Sequence, residues 1–198
     1  MCHIRVQDNQ AMNNFLEHLN SISKLSNSAL KDIEECMTVV CVAKKQILIP
    51  ELSKSQYLYF ISKGVTRAFF YHNGKEITDW FGTENMIIGP TIRNFPIKET
   101  IHTVETLEDS NLIRISFSDL EKLYQKHHDI ERLGRIIAIQ SMLHLQYKID
   151  SLQLLTAKER YEEFIKRYPN LINRVSLGFI SSYLGMNQVT LSRIRKLA

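Results

Sequence analysis

The sequence is poor in cysteine and has no long run of apolar residues. Its 198 residues include three cysteines, Cys2, Cys36 and Cys41, and these form no CxxC pair. This number and spacing argue against a disulfide framework and against a thiolate metal or iron–sulfur site. No segment approaches the roughly 18 apolar residues that a membrane span needs. The first ten residues have no apolar core, so we expect no secretory signal, no membrane partner and a cytoplasmic location.

Acidic residues are scarce in the last fifth of the chain. Residues 156–198 carry eight lysines and arginines against three glutamates, a net charge of +5, whereas the rest of the chain carries −1. A short cationic module attached to a nearly neutral body is typical of a protein with a polyanionic partner. Charge alone leaves a solvated surface with a chance asymmetry as an equal alternative.

The middle of the chain has the pattern of short β-strands. Over residues 38–117, runs rich in β-branched and aromatic residues alternate with turn signals at close spacing. This pattern indicates a β-sandwich or barrel. The clearest hairpin joins residues 67–72 to residues 75–81 through Asn73-Gly74, because this pair supplies the positive φ angles of a type I′ turn.

Helices are predicted on both sides of the strand region. Apolar spacing favours short helices over residues 11–19 and 28–37. Ser118 and Glu121 have the spacing of a capping box for a helix that follows the last strand. A long helix is predicted over residues 130–155, which contain no proline.

The long helix carries two apolar rows instead of one. The first row contains Leu133, Ile137, His144, Tyr147 and Leu154. The second row, with 4-3-4-3 spacing, contains Ala138, Met142, Leu145, Ile149 and Leu152. A helix that lies on one domain needs a single stripe, so two rows predict burial against its own β-domain and against a second copy. The predicted dimer interface contains Leu133, Ile137, Gln140, His144 and Tyr147, and a deeply buried helix in a monomer is the alternative.

The last 23 residues have the layout of a helix-turn-helix. Two short helices would meet at Gly185, which suits the left-handed conformation that stops a helix, and Asn187 can cap the second one. Leu191 and Ile194 face inward at i, i+3 spacing. The outward positions include no acid and are Gln188, Val189, Thr190, Ser192, Arg193, Arg195 and Lys196. An αα-hairpin with a basic face is the alternative.

These outward side chains suit a DNA duplex. Glutamine can pair with adenine, and threonine can hydrogen-bond a base or contact a thymine methyl, so Gln188 and Thr190 are candidate base readers. Arg193 is a candidate for either a base or a phosphate contact. The predicted DNA-binding set contains Asn187, Gln188, Thr190, Ser192, Arg193, Arg195 and Lys196, with Ser192, Arg195 and Lys196 on phosphates.

The order of strand region, long helix and helix-turn-helix resembles the Crp/Fnr family of bacterial transcription regulators. The most specific similarity lies in residues 180–195, and residues 104–110 also resemble family members. The resemblance implies an α+β fold, with an N-terminal jelly-roll or β-roll domain over 1–128, a dimerisation helix over 129–155 and a helix-turn-helix domain over 156–198. It also implies a homodimer that binds double-stranded DNA. RNA polymerase and an unidentified small-molecule effector are further candidate partners.

A ligand pocket follows from the same resemblance. Family members that bind cyclic nucleotides hold the ribose and the phosphate with a Gly-Glu pair and a later Arg-Ser/Thr pair. The matching positions here are Gly89-Pro90 and Glu99-Thr100, and Thr91 completes the candidate pocket. Proline offers no acceptor to the ribose, and a carboxylate would face the phosphate, so we expect no binding of cAMP or cGMP.

An enzyme of the cupin type on the same scaffold is the main alternative. Cupin metal sites use a His-x-His pair, whereas His72 and His102 stand alone, and no GxSxG elbow supports a hydrolase. A ligand sensor whose helical appendage binds protein is a further alternative. No catalytic residue, metal ligand or cofactor is predicted, and Arg67 and Asp79 are expected to form a cross-strand ion pair.

Overall fold

The computed structural model describes the backbone of residues 2–90 and 100–197 and the side chains of residues 10–90 and 100–196. The strands are β1 (Thr38–Val42), β2 (Ile47–Ile49), β3 (Tyr57–Lys63), β4 (Thr66–His72), β5 (Lys75–Gly82), β6 (Ile87–Ile88), β7 (Thr103–Thr106) and β8 (Ser110–Ser116). The helices are α1 (Cys2–Ile22), α2 (Asn27–Cys36), α3 (Phe117–Lys126), α4 (His128–Leu154), α5 (Ala157–Arg167), a 3-10 turn (Leu171–Asn173), α6 (Leu177–Tyr183) and α7 (Gln188–Leu197). The predicted α+β class is confirmed.

The strands form a sandwich of two antiparallel sheets. One sheet has the order β1-β8-β3-β6 and the other β2-β7-β4-β5. Strands that are distant in sequence are therefore neighbours, as in a jelly roll. The interior between the sheets is apolar and contains Ile49, Tyr59, Ile61, Ala68, Ile88, Val104 and Leu112. The predicted jelly-roll domain is confirmed.

The predicted hairpin is strands β4 and β5. Asn73 has φ +50° and Gly74 has φ +73°, as a type I′ turn requires. The strands pair from His72 opposite Lys75 inward to Thr66 opposite Gly82. This hairpin carries the surface of the β-domain on which α6 lies.

Helices α1 to α4 pack on the outer face of the first sheet. Helix α1 extends further than the predicted residues 11–19, whereas α2 lies within one residue of its predicted bounds.

The capping box predicted at Ser118 and Glu121 is wrong. Ser116 caps α3 instead, and its Oγ accepts a hydrogen bond from the Asp119 amide at 3.0 Å. Strand β8 runs up to Ser116, so the helix starts two residues earlier than predicted. No helix in the described ranges is long and apolar enough to cross a membrane.

The two apolar rows of α4 have different surroundings. Leu133 is 3% exposed and Ile137 packs against the same cluster, together with α1, α2 and α3. The structure therefore corrects the assignment of these two residues to a dimer interface, because they belong to the subunit's own core. Gln140 is exposed, and His144 and Tyr147 are half-buried. The second row is exposed along its whole length, at Ala138, Met142, Leu145, Ile149 and Leu152.

The C-terminal helices share a hydrophobic core with the β-domain. Phe81 of β5 is fully buried, with its ring centroid 5.4 Å from that of Tyr183 and 6.3 Å from that of Phe164. The cluster contains Val65, Phe81, Leu107, Tyr161, Phe164, Tyr168, Leu171, Ile180, Tyr183, Leu184 and Leu191. Packing is therefore continuous across the domain boundary predicted at residue 156.

Candidate nucleic-acid interface

Local capping signals build the turn between α6 and α7. Gly185 adopts φ +63°, and the backbone amides of Gly185 and Met186 donate to the carbonyl oxygens of Ser182 and Ser181 at 3.1 and 3.0 Å. This is the hydrogen-bond pattern that closes a helix at a left-handed glycine. The Asn187 side chain then accepts a hydrogen bond from the Thr190 amide at 2.8 Å, so it caps the start of α7.

Helix α7 presents one apolar side to the protein and one polar side to solvent. Leu191 is fully buried, and Ile194 packs against the same cluster. Thr190 is half-buried, which leaves less of it accessible than the sequence suggested. The other predicted contact residues are exposed: Asn187, Gln188, Ser192, Arg193, Arg195 and Lys196. Helical geometry places Arg193 and Lys196 on the outward side of α7, whereas Arg195 projects closer to the side that carries Leu191.

The free cations of the C-terminal module are concentrated on α7. Five of the eight cations in residues 156–198 are engaged within the protein: Lys158, Arg160, Lys166, Arg167 and Arg174. The other three, Arg193, Arg195 and Lys196, are exposed. Among the side chains that the structure describes, no acidic group forms an ion pair with them. The net charge therefore overstates the cationic area, but it correctly indicates its position.

A buried arginine links the β-domain to α6. Arg67 is 2% exposed, and its guanidinium carbon lies 3.6 Å from the ring centroid of Phe179. The same guanidinium pairs with Glu76 at 2.6 Å and also with Glu105. The predicted pair between Arg67 and Asp79 is therefore wrong: Glu105 lies directly opposite Arg67 on β7, and Glu76 comes from nearer the turn on β5.

Two further polar contacts hold the helix-turn-helix on the β-domain. Arg174 forms a bidentate pair with Glu84, at 2.9 and 2.6 Å, and also pairs with Glu108. Burial alone would raise the pKa of Glu84, but the hydrogen bonds that it accepts, first from Arg174, lower it to about 2. The Ser182 hydroxyl accepts a hydrogen bond from the Thr78 amide at 2.9 Å. These contacts fix the position of α6 and therefore of α7.

A second, partly buried network joins β5 to the long helix. The Asp79 carboxylate lies 3.1 Å from His102 Nε2 and pairs with Lys148 of α4. Burial alone would raise the pKa of Asp79, but the hydrogen bonds from His102 and Lys148 lower it to about 2. Sequence reasoning missed this network, since its members come from three separate parts of the chain and have no local spacing signal.

The candidate ligand pocket is only partly within the described residues. Thr91 and Glu99 lie outside them. Gly89 and Pro90 follow β6, and the fully buried Thr100 donates its hydroxyl hydrogen to a backbone carbonyl oxygen at 2.7 Å. In the described ranges, no three His, Cys, Asp or Glu side chains are grouped as for a metal ion.

An open groove of about 690 Å³ runs beside α4 on the outer side of the first sheet. Its walls are mostly apolar and include Phe15, Ile87, Ile113, Ala138 and Leu145. His144, Lys148 and Arg167 add polar atoms to its lining. Ala138 and Leu145 also belong to the exposed second row of α4, so helix and groove form one continuous apolar surface.

The sequence matches no protein-family model and no curated protein, whereas solved structures share its fold. FixK2 of Bradyrhizobium japonicum has a TM-score of 0.70 at 20% identity, covering 81% of this chain and 83% of that chain. The c-di-GMP-responsive global regulator CLP of Xanthomonas campestris has a TM-score of 0.65 at 15% identity, over 86% and 90% of the two chains. A protein of Eubacterium rectale, described as a transcriptional regulator of the Crp/Fnr family, has a TM-score of 0.66 at 14% identity. This match covers 87% of this chain and 83% of that chain. The chain has the fold of the Crp/Fnr regulators.

The Crp/Fnr fold explains the arrangement of the three parts. It contains the jelly-roll domain, the long helix and the C-terminal helices in the order that the sequence predicts. The likeness covers more than four-fifths of the chain in each comparison above. At these identities the likeness describes the fold, and the chemistry must come from the side chains of this chain.

Proposed function

We propose that this protein is a sequence-specific DNA-binding transcription regulator that acts as a homodimer in the cytoplasm. The observation that carries the proposal is on α7, where Arg193, Arg195 and Lys196 are exposed without an acidic partner in the described part of the chain. Arginine can donate two hydrogen bonds to guanine, and lysine can neutralise a phosphate. We assign the base contacts to Gln188 and Arg193, near the start and middle of α7.

The homodimer is proposed from the second row of α4. Met142, Leu145, Ile149 and Leu152 are 60%, 54%, 47% and 45% exposed in the single chain. Apolar side chains at 4-3-4-3 spacing form the seam of a left-handed coiled coil, so an identical helix would cover them. In such a two-fold dimer, the two α7 helices could enter successive major grooves of one duplex, about 34 Å apart.

Replacing Arg193 with alanine is expected to reduce sequence preference. A bidentate contact between arginine and guanine contributes about 1–3 kcal/mol of discrimination, and alanine cannot make it. The measurement is the Kd for the preferred duplex, obtained by selection from random DNA, and for single-base variants of it. Preference should be lost mainly at one position of each half-site. An equal loss on all duplexes would instead assign Arg193 to a phosphate.

Replacing Lys196 with alanine is expected to reduce the salt dependence of binding. Each phosphate contact contributes about 0.9 to the slope of log K against log salt, so a dimer should lose about 1.8. The control is Lys54→Ala, which removes an exposed lysine from the loop between β2 and β3. Lys54→Ala should leave the slope unchanged. The assignment of Lys196 to a phosphate fails if Lys196→Ala leaves the slope unchanged as well.

Cyclic nucleotides are expected to leave the thermal stability unchanged. Pro90 has no acceptor for a ribose hydroxyl, and Glu99 would repel the phosphate. A ligand at 100 times its Kd stabilises a protein by about 2.7 kcal/mol, which a thermal-shift assay detects as several degrees. Such an upward shift with millimolar cAMP or cGMP would contradict the expectation.

A further inference from the structure

The first turn of α7 exposes an apolar side chain that the fold does not use. Val189 is 61% exposed, although most of its neighbours on that side of the helix are polar or charged. The inner side of the helix is already formed by Leu191 and Ile194, which pack into the shared core. Val189 is absent from that cluster, so intramolecular packing does not account for a valine here.

Helical geometry places Val189 at the centre of the outward side. At 3.6 residues per turn, Val189 and Arg193 each point about 160° away from the buried Leu191. The two are also i, i+4 neighbours, so they follow one line along the helix. Ser192 and Lys196 lie within about 60° of Val189 around the helix and are exposed as well. Any duplex that lies against Arg193 therefore also meets Val189.

The major groove offers one apolar group to such a side chain. Of the four bases, only thymine presents a methyl group there, and apolar side chains recognise it by contact. Valine can neither donate nor accept a hydrogen bond, so it has no favourable partner on an adenine, guanine or cytosine edge. Removal of the Val189 side chain from water therefore contributes most to the binding free energy when the base that it contacts is thymine.

Extending the proposed function, we infer that Val189 is a specificity-determining residue that contacts the 5-methyl group of a thymine. The Cα atoms of Val189 and Arg193 are separated by about 6 Å along the helix axis, and stacked base pairs by about 3.4 Å. The thymine therefore lies within about two base pairs of the base or phosphate that Arg193 contacts. The inference rests on the proposed function, because it needs α7 to lie in a major groove.

The test removes single methyl groups from the DNA. In the preferred duplex, each symmetric pair of thymines is replaced in turn by deoxyuridine, which keeps every hydrogen-bonding atom and lacks only the methyl. Loss of one buried methyl group should weaken binding about fourfold per half-site, and therefore about 15-fold for a dimer on two half-sites. We expect this effect at one position of the half-site only. The Val189→Ala variant should lose this difference at that position and keep its preference at the base that Arg193 reads.

A matched control separates this effect from a general loss of apolar surface. Ile47 of β2 is 59% exposed, and Ile47→Ala should leave the difference between thymine and deoxyuridine unchanged. Binding that is insensitive to deoxyuridine at every position overturns the inference and leaves the proposed function intact. The same conclusion follows if the difference persists in Val189→Ala. Absence of binding to any duplex overturns the proposed function itself.

Discussion

Replacing Phe81 with alanine should destabilise the protein by about 3–5 kcal/mol, the range for deletion of a large core side chain. Phe81 is fully buried, and its ring lies against Tyr183 and Phe164 of the C-terminal helices. Its loss would leave a cavity where the β-domain and the helix-turn-helix meet. Total stabilities of domains are about 5–15 kcal/mol, so this one change removes a large fraction.

Urea denaturation followed by circular dichroism measures the effect of Phe81→Ala. Tyr71→Ala is the control, because Tyr71 is an aromatic residue on the adjacent strand and is 61% exposed. Surface substitutions usually change stability by less than about 0.5 kcal/mol. A loss below 1 kcal/mol for Phe81→Ala would show that the helices do not depend on this contact. DNA affinity of the variant should fall as well, since α7 packs on the same cluster through Leu191.

Replacing Leu145 with glutamate should convert a dimer into monomers. Leu145 lies in the middle of the exposed second row of α4 and is 54% exposed in the single chain. If two α4 helices pair along this row, the introduced carboxylate would be buried between them and lose its hydration without gaining a partner. This desolvation costs several kcal/mol. Linked half-sites bind more tightly than separate ones by about 10²–10⁴, so affinity for a palindromic site should fall at least about a hundredfold.

Sedimentation and DNA titration together test the Leu145→Glu variant. Gln125→Glu adds the same charge at an exposed position of α3 and should remain a dimer with unchanged affinity. The proposal for α4 fails if Leu145→Glu sediments like the unchanged protein. It also fails if the unchanged protein is a monomer at the concentrations at which it binds a palindrome.

Local signals account for the parts that the sequence predicts well. The hairpin follows from Asn73-Gly74, and both residues have the positive φ angles that the turn requires. The C-terminal turn follows from Gly185 and Asn187, whose hydrogen bonds close one helix and cap the next. In each case, the residues that carry the information lie within a few positions of the structure that they produce.

Tertiary contacts account for the errors. Both rows of α4 have an apolar pattern in the sequence, and only packing against α1 to α3 and the first sheet decides that Leu133 becomes buried while Met142 stays exposed. Arg67 likewise pairs with Glu76 and Glu105, not with Asp79 as the sequence predicted. The contact of Phe81 with the C-terminal helices connects segments about 80–100 residues apart in the chain and has no local pattern.

The insertion of Phe81 into the C-terminal cluster also affects cooperativity. Phe81 of the sheet forms part of the hydrophobic core of the C-terminal helices, so these helices cannot unfold separately without exposing Phe81 to water. Heating should therefore give one calorimetric transition rather than two. For the same reason, rotation of α5 and α6 relative to the sheet must extract the Phe81 ring from their shared core, so it would occur as a step between discrete states.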